Sequence, residues 1–434
     1  MISFFDFIIY PVRNFLLKNI KSISFERVIS NGVYWTIIFI PFSIAISSAP
    51  MNVFMGFLIF AFLVKKVLKG EWLFTKTAIN IPLLFLFIIT CLSIINSISY
   101  KDSFKGGMLR LLQYIFVFFI MVEELKDRRH IGRIIFFMAL GVILSSFDGI
   151  WQVFTGKDFI RHYAPVINIG LVRATASFKD SNVLGIYLSA IAPLIFGLNL
   201  YYLKRIKKIM FVFVSLAALT GIALTYSRPT LLAIYAALFF LGLIKRHKVL
   251  IALLLILILI SPFLLPGSVK DWAKEVNYNP LRFMCNDDRI ATYRNSLNMI
   301  KAHPLIGVGA NTYMKNYKQY KEYPEYRNVI TSDYMYAHNN FLHMAAEIGL
   351  IGLAIFFWLL YKLFAECRNI YRSLNDNFLK VVSLSLSACL IAFLVNGLTE
   401  SSLYYSRVAL LFWYIAGFSL SLKKFTPHHR KPRL

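Results

Sequence analysis

Charge is scarce in this sequence, and negative charge is scarcer. Asp and Glu number 21 against 47 Lys and Arg in 434 residues, and the four types together make only 16% of the chain. That balance excludes an ordinary soluble domain, which carries about 25% charged residues. Cysteine is scarce as well. Of Cys91, Cys285, Cys367 and Cys389, only Cys285 falls outside the apolar runs and on their far side, so no disulfide framework is expected. No Asp-x-Asp and no His-x-x-x-His pair occurs, so no metal and no cofactor is expected. No internal repeat is visible. The first thirty residues lack a small-residue cleavage site, so they are not read as a cleaved signal peptide.

Apolar runs fill the remaining space: 58% of the residues are hydrophobic. Runs of about 20 residues cross a hydrocarbon core about 30 Å thick, and inside lipid the backbone must satisfy itself, which makes them helices. Twelve are expected, near 33–48, 51–64, 78–96, 107–122, 134–153, 183–202, 209–227, 229–244, 249–266, 341–361, 381–398 and 405–422, the first two being short. The fold class is an all-α polytopic membrane protein.

The basic residues orient it. They cluster between Arg13 and Arg27, Lys65 and Lys76, Lys126 and Arg133, Lys204 and Lys208, Lys245 and Lys248, Lys362 and Lys380, and in the tail "KKFTPHHRKPRL". The alternate connections are nearly bare, with Arg228 and Arg407 standing alone. The positive-inside rule then places both termini in the cytoplasm. The net charge of +26 reads as topology and as a match to anionic headgroups, with no nucleic acid as partner. Residues 1–30, containing "FFDFIIYPVRNFLLKNI", read as an interfacial segment, 31–422 as one membrane domain and 423–434 as a basic tail.

Two far-side segments, 154–182 and 267–340, exceed the length of turns, and loops that long are usually functional or disordered. The second contains "DDRIATYRNSLNMIKAHPLIGVGANTY". Ile290, Tyr293, Leu297 and Ile300 recur at helical spacing and predict an apolar face. Asn286 or Asp287 suits the helix start and His303-Pro304 its end.

Three side chains stand out there. Arg228 in "TYSRPT" precedes Pro229, which suits the first turn of a helix; it either snorkels to the interface or is a fixed cation aimed at an anionic headgroup. Arg289, in the first turn of the loop helix, either pairs with Asp287 or Asp288 or forms a phosphate site with the free N–H groups there. His338, in "YMYAHNNFLHMAAEIGLIG", is an interfacial histidine, a metal ligand, or a base near neutral pH. His343 and Glu347 stand one turn apart, with no His-Glu-x-x-His pattern. Gly349 and Gly352 suit close helix packing. Tyr334 and Tyr336 suit sugar binding. Asp148 and Glu400 face the same side by topology; each is either a second acid or base or a structural hydrogen-bonding group.

Four stretches in order, "RATASFKDSNVLG", "TYSRPTLLA", "DDRIATYRNSLNMIKAHPLIGVGANTY" and "AHNNFLHMAAEIGLIG", resemble the O-antigen ligase and O-antigen polymerase superfamily of bacteria. They cover most of the second half of the chain. The resemblance implies a GT-C-type glycosyltransferase of the bacterial inner membrane, its site facing the periplasm. The donor would be an undecaprenyl-diphosphate-linked glycan, and the acceptor lipid A–core (ligase, favoured by the short hairpin) or a second lipid-linked glycan (polymerase). His338 falls on the motif histidine, Arg228 and Arg289 on its diphosphate-binding arginines; Arg173, Asn182 and Asn339 lie in the same motifs. Two departures are Tyr293, where a tryptophan is common nearby, and Ser181, where a proline often precedes the motif asparagine. A lipid-linked oligosaccharide transporter is the rival class; the missing repeat and the long far-side loop favour an enzyme.

The topology is checked by cysteine labelling in spheroplasts. An impermeant reagent should modify Ser332→Cys and spare Ser22→Cys in an otherwise cysteine-free chain; the reverse pattern would invert the orientation.

Overall fold

A computed structural model describes residues 22–427 apart from 72, 169, 202–204, 265, 276, 280–286 and 323–334. The expected interfacial segment before residue 22, Cys285, Asn286, Tyr334 and residues 428–434 lie outside the described residues.

The chain is an all-α polytopic membrane protein. Its helices are α1 (Ser22–Ile46), α2 (Ser48–Lys69), α3 (Asn80–Ser93), α4 (Tyr100–Glu124, π-helical over Ser103–Leu109), α5 (Arg128–Thr155), α6 (Ser181–Tyr201), α7 (Arg205–Leu224), α8 (Arg228–Lys245), α9 (Lys248–Leu264), α10 (Gly267–Glu275), α11 (Asp287–Ala302), α12 (Tyr313–Asn316), α13 (Asn340–Ser373), α14 (Asn377–Asn396) and α15 (Ser406–Ser421). Among the described residues, ten helices are long and apolar enough to cross a membrane, and two shorter apolar ones, Asn80–Asn96 and Lys248–Ile260, stand at the other expected spans. One antiparallel hairpin, β1 (Val166–Asn168) with β2 (Leu171–Arg173), lies in the first long loop.

The first two spans are longer than their apolar runs. Helix α1 crosses the expected boundary at residue 30, and α2 continues through a basic turn. That turn stays helical because its charges are answered: Lys65 Nζ lies 2.6 Å from Glu124 Oε2, Lys66 Nζ 2.6 Å from Glu123 Oε2, and Lys69 Nζ 3.7 Å from Glu26 Oε1. Helices α6, α14 and α15 are the most buried spans. Small residues let them close up: Gly197 of α6 faces Ser385 of α14, and Gly185 of α6 faces Thr230 of α8.

Helix α13 is broken at Gly349 (φ 75°, ψ 175°), a region essentially reserved for glycine. The break would orphan backbone groups in an apolar setting. Residues 304–309 of the second loop take over. Val308 N donates to Ala346 O at 2.9 Å, Gly309 N to Glu347 O at 3.0 Å, and Leu350 N to Pro304 O at 2.8 Å. A Cβ on Gly349 would lie 2.0 Å from Leu305 O. Gly349 thus serves a kink and a backbone crossing, a stricter demand than the helix packing its spacing suggests. The Glu347 carboxylate completes the splice, accepting from Asn311 N at 2.7 Å and Tyr313 N at 3.0 Å.

The expected apolar face of α11 is buried only in part. Ile300 is buried and Ile290 and Tyr293 are half-buried, but Leu297 is 45% exposed, and Thr292, Asn295, Ser296 and Met299 are buried. The reason is hydrogen bonding: Ser296 Oγ lies 2.7 Å from the Tyr313 hydroxyl, and Asn295 Nδ2 donates to the Tyr317 hydroxyl at 2.8 Å. The helix does end at Ala302, before His303-Pro304.

Gly349→Ala should lower stability by about 3 kcal/mol or more, from backbone strain plus the clash. Thermal unfolding in detergent measures it, with Gly56→Ala, where a Cβ meets nothing within 4 Å, as the comparison.

Candidate active site

The loop between α14 and α15 carries Glu400, whose side chain is 1% exposed. Burying a carboxylate is costly unless donors surround it. Three segments supply them, and a fourth backs one of the three. Arg289, in the first turn of α11, forms an ion pair through Nη2 with Oε1. Asn182, at the start of α6, donates Nδ2 to Oε1 at 3.0 Å. His338 places Nδ1 3.2 Å from Oε2. Arg173, at the end of β2, donates Nη2 to Asn182 Oδ1 at 2.9 Å and Nε to Thr225 O at 2.8 Å. The structure therefore joins Arg173, Asn182, Arg289, His338 and Glu400 in one hydrogen-bonded chain. Arg289, read from the sequence as either a partner of Asp287 or Asp288 or part of a phosphate site, pairs with Glu400.

Burial opposes ionisation of Glu400, but the His338 hydrogen bond and the charges of Arg289 and Arg173 outweigh it, holding its carboxyl below the ordinary glutamate value. Asp180, which caps α6 by accepting from Asn182 N and Val183 N at 2.7 and 3.0 Å, moves the other way. Burial and the nearby Glu400 charge raise it. An ionised Glu400 can only accept, so Nδ1 of His338 must donate; in the neutral imidazole that tautomer puts the lone pair on Nε2. The imidazole side chain is 23% exposed and the Arg289 side chain 11%, so His338 is the more accessible of the two.

The "HNN" stretch explains how His338 is held. Asn339 caps α13, accepting from Phe341 N and Leu342 N at 2.8 and 2.9 Å, and its Nδ2 donates to Leu398 O at 2.8 Å. Asn340 donates N to Gly397 O at 2.7 Å and Nδ2 to Ser402 Oγ at 2.7 Å, and accepts from Leu403 N at 2.9 Å. Both asparagines thus pin the Glu400 loop to α13. His338 itself sits at φ 48°, a left-handed conformation that histidine enters more readily than most residues. Its carbonyl accepts from the Tyr293 hydroxyl at 3.1 Å, so the departure at Tyr293 supplies a direct tether. His343 is buried in the same joint: Nδ1 is 3.1 Å from Ser401 Oγ, Nε2 is 3.3 Å from Glu347 Oε1, and the ring stacks on Tyr404 at 3.4 Å.

Arg228 opens α8, half-buried, three residues after Thr225, whose carbonyl holds Arg173. Asp148 sits apart from the chain of contacts. Its Oδ1 accepts from Phe159 N at 2.9 Å beneath the first long loop, so the shared face inferred from topology does not bring it to Glu400. Arg407 is also buried elsewhere, donating to Ile44 O and Ser177 O at 2.7 and 2.8 Å with Phe178 stacked 3.6 Å away.

A family model described as O-antigen ligase matches residues 213–357, about a third of the chain, from α7 through α13. That match supports the O-antigen ligase superfamily for this part of the chain. The matched span includes Arg228, Arg289 and His338; Arg173, Asn182 and Glu400 lie outside it. No curated protein matches. The match supports a membrane enzyme of the O-antigen ligase or polymerase type. The sequence marks Glu400 only as a second acid or base or a structural group and gives no signal for Asp180, because a lone carboxylate beside a span carries no pattern of its own.

Glu400→Gln should cost about 3–5 kcal/mol at neutral pH, the penalty for leaving a buried guanidinium unpaired. The sign with pH follows from the depressed folded pKa. The wild-type advantage is present in full above the ordinary glutamate value of 4.5 and is lost as pH falls from there through the depressed value. Unfolding midpoints of both chains against pH should converge only in that acid range; convergence near neutrality would contradict the assignment.

Proposed function

We propose that the chain is an O-antigen ligase, a metal-independent GT-C-type glycosyltransferase. It moves a glycan from an undecaprenyl-diphosphate carrier onto a lipid A–core acceptor at the periplasmic face of the inner membrane. The observation that carries this reading is the buried carboxylate of Glu400, bound at once to His338 and Arg289. A carboxylate that fixes Nδ1–H leaves Nε2 as a base, the orienting logic of catalytic triads. In the proposed step the acceptor hydroxyl oxygen attacks the anomeric carbon while Nε2 of His338 takes its proton. The bond from that carbon to the diphosphate oxygen breaks, and the diphosphate leaves as an anion. Arg289 and Arg228 stabilise it, as preorganised cations do for charge that develops in a transition state. Attack opposite the leaving group inverts the anomeric centre. Asn182 holds Glu400, Arg173 holds Asn182, and Asn339 holds the Glu400 loop.

Arg228→Ala and Arg289→Ala should each reduce transfer about 10²–10³-fold, the usual loss for one contact to a transition-state anion. Arg→Lys at either position should recover only part of this, lacking the planar fork. His338→Ala should reduce transfer about 10²–10⁴-fold while donor binding survives, and wild-type transfer should persist in EDTA. Near-normal transfer by His338→Ala at wild-type membrane levels would remove the base from the scheme. Deletion in the host separates the two acceptors: lipid A–core without long glycan, beside accumulated polymeric lipid-linked glycan, marks a ligase. Single-repeat lipopolysaccharide marks a polymerase.

A further inference from the structure

A cavity of about 390 Å³ lies between α3, α4, α13 and α15. Its lining joins polar Asn311 and Arg110 to the apolar side chains of Leu86, Phe356 and Trp413, and the Tyr114 hydroxyl donates to Ser406 O at 3.3 Å. From Ser406 to Trp413, both on its wall, α15 descends about 10 Å at about 1.5 Å per residue. The cavity therefore runs from the rim of the bundle into hydrocarbon depth.

Arg110 has no topological reason to be there. It lies within the span Tyr100–Glu124, immediately after the π-helical turn, half-buried. Its guanidinium donates to Asn52 Oδ1 at 3.0 Å, and among the described residues it pairs with no carboxylate. Asn52 is one turn inside the end of α2, which sets the guanidinium near headgroup level. An ionisable side chain inside a span marks a functional site more often than a structural one. A cation at headgroup level beside an apolar slot has the chemistry to hold a phosphorylated lipid: phosphate on the guanidinium, chain in the slot.

The position selects which lipid. Arg228 and Arg289, proposed for the donor diphosphate, belong to α8 and α11, and α8 packs on α6, α9 and α14. The cavity is lined from α3, α4, α13 and α15 and meets the catalytic cluster through Glu347 and Tyr404, both in contact with His343. His343 bonds Ser401, next to Glu400. The slot thus reaches the cluster through elements other than those that carry the donor arginines. We propose that it seats the lipid anchor of the acceptor, with an acyl chain in the slot and a headgroup phosphate paired with Arg110. This rests on the transferase reading above.

The test uses the full-length protein in detergent with three probes: a bis-phosphorylated lipid A, undecaprenyl diphosphate and phosphatidylglycerol. Retention is read by native mass spectrometry. Arg110→Gln should weaken lipid A retention about ten-fold, Arg110→Lys should restore part of it, and Leu111→Trp, which fills the slot, should abolish it. Undecaprenyl diphosphate should be retained equally by all. In wild-type protein, a lipid A bearing a diazirine on an acyl chain should label the walls at Leu86, Tyr114 or Trp413, a readout independent of any variant's folding. Unchanged lipid A retention in both Arg110→Gln and Leu111→Trp overturns the proposal. So does labelling elsewhere, loss of undecaprenyl diphosphate in place of lipid A, or equal competition by phosphatidylglycerol. Wild-type protein that labels in the slot yet transfers no glycan overturns the transferase reading and leaves the slot. His338-dependent transfer with labelling elsewhere overturns the slot alone.

Discussion

The buried carboxylate of Glu400 is the constraint around which the rest of the site is arranged. At 1% exposure it cannot rely on water, so the protein must deliver donors to it. Those donors come from the start of α6, the first turn of α11 and the residue that precedes the cap of α13, with Arg289 lying 111 residues earlier in the chain. A single carboxylate thus fixes how three segments meet at the end of the bundle. The same contacts decide the imidazole's tautomer, which is why position and chemistry are inseparable here.

Helix α13 makes this arrangement rigid. At its first residues, Asn339 and Asn340 clamp the Glu400 loop; at its break, Gly349 admits residues 304–309, whose amides close the open backbone. Glu347 and His343 lie between the two joints and bond to both sides. The second long loop is therefore tied to the bundle at the break and at Glu400. Its helix α11 inherits that anchoring, which places Arg289 without a long, flexible reach.

The spans were legible in the sequence because twenty apolar residues in a row admit few other structures. The end of α11 was legible too, since His303-Pro304 is a local stop. What stayed hidden depends on partners remote in sequence. The buried side of α11 is chosen by hydroxyl and amide bonds to Tyr313 and Tyr317, which hydrophobic periodicity does not register. The break at Gly349 lies in a run that reads as uninterrupted helix, and its substitute donors come from some forty residues earlier. Asn339 and Asn340 suggested a wet boundary; their work as clamps becomes visible only with Leu398 and Ser402 beside them.

On the proposed reading, the shared carboxylate also couples the two substrates. Oε1 of Glu400 holds Arg289 and Asn182, while Oε2 holds His338. A diphosphate arriving at Arg289 competes for a guanidinium that Glu400 already holds. Asn182 does not lose its place in that competition, because Arg173 holds its other side. Glu400 therefore keeps a neutral donor on Oε1 when Arg289 turns to the anion. Weaker neutralisation by Arg289 leaves more negative charge facing Nδ1 of His338, and that charge favours the protonated imidazole the transfer generates. Donor binding thus strengthens the base that the acceptor needs, and the coupling passes through one side chain.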